Sequence, residues 1–164
     1  MNWRRFIENK YSSNQSDKYV CIPRFYPPAS KGKLKSLETS LGVSLPFSLK
    51  DLLYNSDGVM YLIELLDGNL IENKWLIWPT EEIAKGNKSL RTEPMKTTYQ
   101  RSFDELLFFA NAGVDGILFA FMVCPDKVHD PKIYVWHPID NEVTEIASSL
   151  RAFVEQWIDG EITI

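Results

Sequence analysis

The stretch "LLFFANAGVDGILFAF", residues 106–121, decides how the rest of the chain is read. It is the most apolar part of the sequence, yet Asn111, Gly113, Asp115 and Gly116 stand at its middle. A membrane segment, a buried hairpin and a ligand loop between two strands are the competing readings. A spanning helix needs about 20 largely apolar residues, and this stretch is shorter and interrupted by polar residues and glycines. "NAGVDG" does not open a helix, so it is not a phosphate cradle. The remaining reading is two core strands, Leu106–Ala110 and Gly116–Val123, joined by a turn. Gly113 and Gly116 permit a positive φ there. Asn111 and Asp115 are expected to bond their own backbone and hold it. Both arms are apolar on both faces, as expected where other elements cover each side.

Working outward, Lys132–His137 reads as a further strand and Glu142–Ile146 as another, with Asn141 in the turn between them. "CPDKVHDP" (124–131) is a link, because its prolines exclude a central strand. Ser148 or Ser149 caps a closing helix whose Leu150, Phe153, Val154, Trp157 and Ile158 make one apolar stripe. Upstream, Val59–Leu66 and "LIENKWLIWP" (70–79) read as a β-hairpin around "DGN". Thr80 is expected to cap a short helix carrying Glu81 and Glu82 in its first turn, with Gly86 weakening it. Residues 91–102 read as a polar loop.

Further back, Ser30 caps a helix with Leu34, Leu37 and Leu41 on one face, and Gly42 ends it. Pro46 then suits the first turn of a second helix carrying Leu49, Leu52 and Leu53. Together they form a helical hairpin stopped at Gly58. Trp3, Phe6, Ile7 and Lys10 have helical spacing, and Tyr11–Pro28 reads as a Ser/Asn-rich, then Pro-rich connection. The expected organisation is residues 1–29 as an N-terminal helix and connection packed on a domain of residues 30–160. Helices first, strands in the middle and a closing helix indicate an α+β fold with a central, mainly antiparallel sheet flanked by helices.

A chain of 164 residues, 45% hydrophobic and 24% charged, is long enough for one sizeable core and is not disordered in composition. Cys21 and Cys124 form no CxxC or Cys/His cluster, which disfavours zinc. They read as buried thiols of a cytosolic protein, with a disulfide as the alternative. The N-terminus lacks the apolar core and cleavage site of a signal peptide, so a cytoplasmic location is expected. The net charge of −4 is unevenly spread. Residues 1–36 hold eight basic and two acidic residues, whereas 51–82 hold seven acids against Lys74. Such acidic segments suit a basic partner and disfavour nucleic acid.

Catalytic constellations are missing. His129 and His137 fit no metal-binding or triad spacing, and no phosphate-loop, dinucleotide or nucleophile-elbow motif occurs. Glu81 and Glu82 are neighbours at a helix start, which is dipole chemistry rather than acid–base work. The expectation is a binding protein, not an enzyme, with no cofactor and no metal.

The order of motifs carries a resemblance. "LETSLGVSLPFSLKDLLYNSDG" (37–58) resembles the helix–Leu-Pro–helix–Gly opening of the SUKH superfamily at Leu41, Gly42, Leu45, Pro46, Leu49, Leu52, Leu53, Asn55 and Gly58. "WPTEEIAKGN" (78–87), the strand–turn–strand of 106–121, "IYVWHP" (133–138) and "IASSLRAFVEQWI" (146–158) follow in that family's order, covering about residues 30–160. The sequence departs at Leu49 and Leu52, where the family usually has an aromatic at one or both positions, and at Asn55-Ser56-Asp57-Gly58, where it often has Asn-Gly directly.

The resemblance implies an α+β domain and, for bacterial members, an immunity protein that neutralises a polymorphic-toxin domain, often a nuclease, by direct binding. Relatives in fungi imply the alternative of an interaction module in cell-wall regulation; a small-molecule-binding or enzymatic domain using His137 is the third reading. For the immunity reading, the expected partner is a basic toxin domain, with no direct nucleic acid and no membrane, and the protein itself is a monomer or weak homodimer. Candidate contacts are the turn and strand-end acids Asp57, Asp67, Glu72 and Asp115. Tyr61, Trp75 and Trp78 are the candidate aromatic anchors. The alternative for each acid is a solvated turn, and for each Trp the core.

Overall fold

Ser30 Oγ accepts the backbone N–H of Lys33 at 3.1 Å, and Gly42 ends the same helix in the left-handed conformation. These two caps bound α2 (Lys31–Leu41), which buries Leu34, Leu37 and Leu41. α3 (Phe47–Asn55) follows and buries Leu49, Leu52 and Leu53, with Pro46 standing just before its first turn. Glu38 ties the pair together: its Oε1 accepts Leu45 N–H at 2.8 Å and meets Lys50 Nζ at 2.7 Å.

The computed structural model describes residues 1–123 and 131–164, with the side chains of residues 70–73 excepted. Cys124, His129 and the link at 124–130 lie outside the described residues. Cys21 is a half-buried free thiol.

Among the described residues seven strands form two antiparallel sheets, and with six helices they make the α+β fold that the sequence indicates. The first sheet has the order β1-β2-β3: β1 (Tyr19–Phe25), β2 (Val59–Leu65) and β3 (Leu70–Ile77). The second is a meander of β4 (Leu106–Asn111), β5 (Leu118–Met122), β6 (Ile133–His137) and β7 (Glu142–Ala147). They meet where Trp78 N–H donates to Phe109 O at 2.8 Å, at a bulge in β4 between Phe108 and Ala110. A bulge re-aims the strand locally, and here it turns a carbonyl of β4 towards the end of β3.

The second sheet is covered on both faces, as the apolar arms of 106–121 require. On one side Tyr99, Phe103 and Trp136 pack edge to face with one another, and Phe108 lies tilted against Phe103 and Trp136. On the other, Phe109 and Phe119 meet Phe153, Phe119 also meets Trp157 of α6 (Leu150–Ile158), and Phe121 packs on Phe109. Ser149 Oγ caps α6 by accepting Ala152 N–H at 3.2 Å. α1 (Trp3–Ser13) packs against β1 and α6 and buries Trp3, Ile7 and Tyr11.

Four local expectations are corrected. Tyr19–Phe25, read as part of a connection, is strand β1, with Pro23 opposite Tyr61. An edge strand pairs on one side only, so a proline there need not remove a ladder bond. The polar stretch 91–102 contains α5 (Glu93–Tyr99), a helix with Pro94 in its first turn and no buried residue. Its end is held from outside, by Asn141 Nδ2 donating to Tyr99 O at 2.7 Å. Thr80 does not cap α4 (Thr80–Leu90) but is its first residue. In the β4–β5 turn, no side-chain hydrogen bond of Asn111 or Asp115 is found among the described residues. The backbone closes the turn through Ala112 N–H to Ile117 O at 3.0 Å, with Asp115 itself at φ 51°.

Candidate functional site

The turn Asn55-Ser56-Asp57-Gly58 between α3 and β2 is the hub of a surface cleft. Ser56 is buried, and its Oγ accepts Tyr26 N–H at 2.8 Å. The same hydroxyl lies 2.6 Å from Gly58 O and 3.0 Å from Tyr26 O, so one proton serves two acceptors. Asp57 N–H donates to Pro27 O at 3.1 Å, and Ala29 N–H to Leu53 O at 2.9 Å. These bonds zip residues 26–29 onto the turn and stand Tyr26, Pro27 and Pro28 up as one wall.

Asp57 sets the floor. Only 7% exposed, it accepts Thr80 N–H at 2.8 Å and the Thr80 hydroxyl at 3.2 Å, so it caps α4 from a remote part of the chain. The Lys33 ammonium bonds the same carboxylate at 2.5 Å and lies 3.7 Å from Glu81. The hydrogen bond to Asp57 is the main cause that holds Lys33 above its ordinary pKa. Gly58 brings the opposite wall close. It has φ 95°, and a Cβ there would sit 2.8 Å from Pro79 N and 3.1 Å from the Trp75 ring. Only glycine fits both the left-handed backbone and that approach.

The resulting cleft has a volume of about 480 Å³ and is lined by Tyr26, Pro27, Pro28, Lys33, Asp57, Trp75, Pro79, Glu81 and Glu82. Tyr26 and Trp75 face each other at 5.2 Å between ring centroids, tilted by 39°. Both rings are half-buried, while Glu81 and Glu82 are exposed on the rim. One cation therefore stands against three carboxylates in a pocket with rigid aromatic and proline walls.

Of the seven residues singled out from sequence, the fold brings Asp57 and Trp75 into this cleft and scatters the others. Trp78 is buried, with its ring against Gly86. Tyr61 packs on Tyr11 at 5.7 Å. Asp67 closes the tip of the β2–β3 hairpin by accepting Asn69 N–H at 2.9 Å, the largest cause of its lowered pKa. Asp115 lines a separate groove with Tyr99, Trp136 and Pro138. Glu72 stands opposite Ile63 in β3, and its side chain lies outside those described. Sequence reasoning missed Tyr26, Pro27, Pro28, Lys33 and Pro79 as cleft residues, and took Glu81 and Glu82, which also line it, for helix-dipole residues only. The usable signal is "YPP" at 26–28, an aromatic followed by two rigid residues, which composition alone makes look like a connection.

Among the described residues no group of three His, Cys, Asp or Glu side chains is placed to hold a metal ion, and no helix is long and apolar enough to cross a membrane. The sequence model of the SMI1 / KNR4 family (SUKH-1) matches residues 28–156, from the cleft wall at Pro28 into α6. No curated protein matches the chain.

Proposed function

The chain belongs to the SMI1 / KNR4 family (SUKH-1), and from that membership we propose that it is a cytoplasmic immunity protein that neutralises a cognate toxin domain by binding it. Family membership is consistent with an immunity or regulatory protein-binding role. The observation that carries the finer reading is the cleft: aromatic and proline walls with an acidic rim, held rigid by Ser56 and Asp57. Such a surface suits a basic protein. Nuclease toxins are basic because they hold phosphates, and opposite charge raises the association rate. The role needs no catalytic step. In the cleft, the Asp57 carboxylate is taken up by Thr80 and Lys33, which suits a structural part rather than acid–base work.

The test is genetic. The neighbouring open reading frame is expressed with and without this chain. Toxicity relieved by coexpression, with the two proteins co-purifying, is the expected result. A harmless neighbour, or a toxic one that this chain does not relieve, sinks the reading. A pull-down dominated by an unlinked housekeeping enzyme would favour a regulatory module instead.

A further inference from the structure

We infer that the cleft receives an arginine side chain of the protein partner, with its guanidinium on the Tyr26–Trp75 pair and against the Glu81–Glu82 rim; this deepens, and rests on, the protein-binding reading. Four features converge. The two rings lie 5.2 Å apart at the cleft wall and are only half-buried, so an aromatic surface is open to a cation. The single lining cation, Lys33, is bonded by Asp57 and reaches Glu81 only at 3.7 Å, and Glu82 has no ion-pair partner among the described residues. The volume of about 480 Å³ falls within the ~300–1,000 Å³ of ordinary ligand sites and exceeds what one side chain needs. The walls are three prolines and two aromatics, which have little side-chain freedom to lose on binding.

Charge decides between possible occupants. A helix N-terminus such as that of α4 ordinarily attracts an anion. Here Asp57 already takes the Thr80 N–H, and Glu81 and Glu82 in the first turn repel a second anion. A neutral apolar side chain would cover the rim carboxylates without pairing them, which is unfavourable. Among cations, arginine is preferred over lysine because its planar group stacks on a ring while its N–H groups reach carboxylates alongside.

The experiment uses the isotope-labelled full chain and three neutral-ended probes: Nα-acetyl-arginine methylamide and its norleucine and glutamate counterparts. The arginine probe is expected to shift the Trp75 indole N–H and the Gly58 and Glu82 amide signals saturably, and the other two probes are not. Trp75→Ala, and the exposed double variant Glu81→Gln/Glu82→Gln, should each weaken the arginine probe by about three- to tenfold. The glutamine pair lies on the surface, so it tests the idea even if Trp75→Ala unfolds. Arginine shifts outside the cleft, equal shifts from norleucine, stronger ones from glutamate, or undiminished binding in the glutamine pair would overturn the inference. A protective chain whose cleft ignores arginine overturns this inference alone. A non-protective chain whose cleft takes arginine overturns the immunity function alone.

Discussion

The carboxylate of Asp57 accepts the backbone N–H of Thr80 at 2.8 Å across 23 positions of sequence, so the turn after α3 caps the helix after β3. Asp57→Ala leaves the buried Thr80 N–H unpaired and should cost about 2–3 kcal/mol, combining a lost cap with an orphaned donor. The Lys33 contact adds little to this figure, since Lys33 is 41% exposed and the pair is screened. Asp57→Asn keeps an acceptor oxygen and should cost roughly half as much. Urea unfolding measures both. Two variants as stable as the parent would mean that Asp57 is no cap.

Gly58 and Gly86 are each pressed against a tryptophan, and their alanine variants should rank by what the added Cβ meets. At Gly58 it meets Pro79 N at 2.8 Å with the backbone at φ 95°, so Gly58→Ala should cost about 3 kcal/mol or more. At Gly86 it meets the Trp78 ring at 3.0 Å in a helix, where alanine otherwise gains about 1 kcal/mol. The buried ring has little room to yield, so Gly86→Ala should be a net loss of about 1 kcal/mol. A thermal melt in which Gly86→Ala is stabilised would show that Trp78 moves aside freely.

Asn87 on α4 and Arg91, the residue that caps its C-terminal end, both grip the backbone of β4. Asn87, fully buried, donates to Ile83 O and Phe108 O at 2.8 Å each and accepts Phe108 N–H at 3.0 Å. Arg91 donates to Leu41 O at 2.8 Å and Leu106 O at 3.0 Å. Asn87→Leu keeps the volume but strands both Phe108 groups, and should cost about 3 kcal/mol. Arg91→Met should cost about 2 kcal/mol by freeing two carbonyls. Because both residues act through β4, the double variant should lose less than the sum, by about 0.5 kcal/mol or more. Strict additivity in a double-mutant cycle would contradict that coupling.

Tyr11 sets an alkaline limit. Burial pushes its phenol well above the ordinary value, with Tyr61 and Cys21 adding to the rise. A folded pKa above the unfolded one contributes stability that is fully present below about pH 10 and is lost as pH rises through the folded value. The slope from this one group reaches about 1.4 kcal/mol per pH unit. Cys21, raised by burial, acts in the same direction. So do Lys10, raised chiefly by its bond to Asp159, and Lys33, raised by Asp57. Tyr11→Phe should match the parent at pH 7 within about 1 kcal/mol and fall less steeply above pH 10. Parallel alkaline curves for the two proteins would remove Tyr11 from the account.

Much of the fold was legible because its elements carry their own punctuation. Ser30 and Gly42 bracket α2, Ser149 starts α6, and the leucine stripes of α2 and α3 are buried as their spacing requires. The elements that escaped lack such signals. β1 contains Pro23, and although Cys21–Phe25 alternate between half-buried and exposed, the apolar Ile22 is among the exposed positions, so the alternation does not show in the residue types of this edge strand under α1. α5 has seven residues, and only Met95 and Tyr99 lean on the core. A helix that short is marginal alone; the bond from Asn141 helps hold it in place.

The sequence by itself determined the α+β class, the buried hairpin at 106–121 and the family, since periodicity and caps are local and the motif order is linear. Tertiary structure alone decided which acids and aromatics share a site. Asp57 and Trp75 were among seven candidates of equal standing, and Tyr26, Pro27 and Pro28 were not among them. Periodicity tells which face of an element is buried, not which distant segment buries it. The cleft exists because Ser56 bonds Tyr26, Asp57 caps Thr80 and Gly58 admits Pro79, contacts between residues more than twenty positions apart.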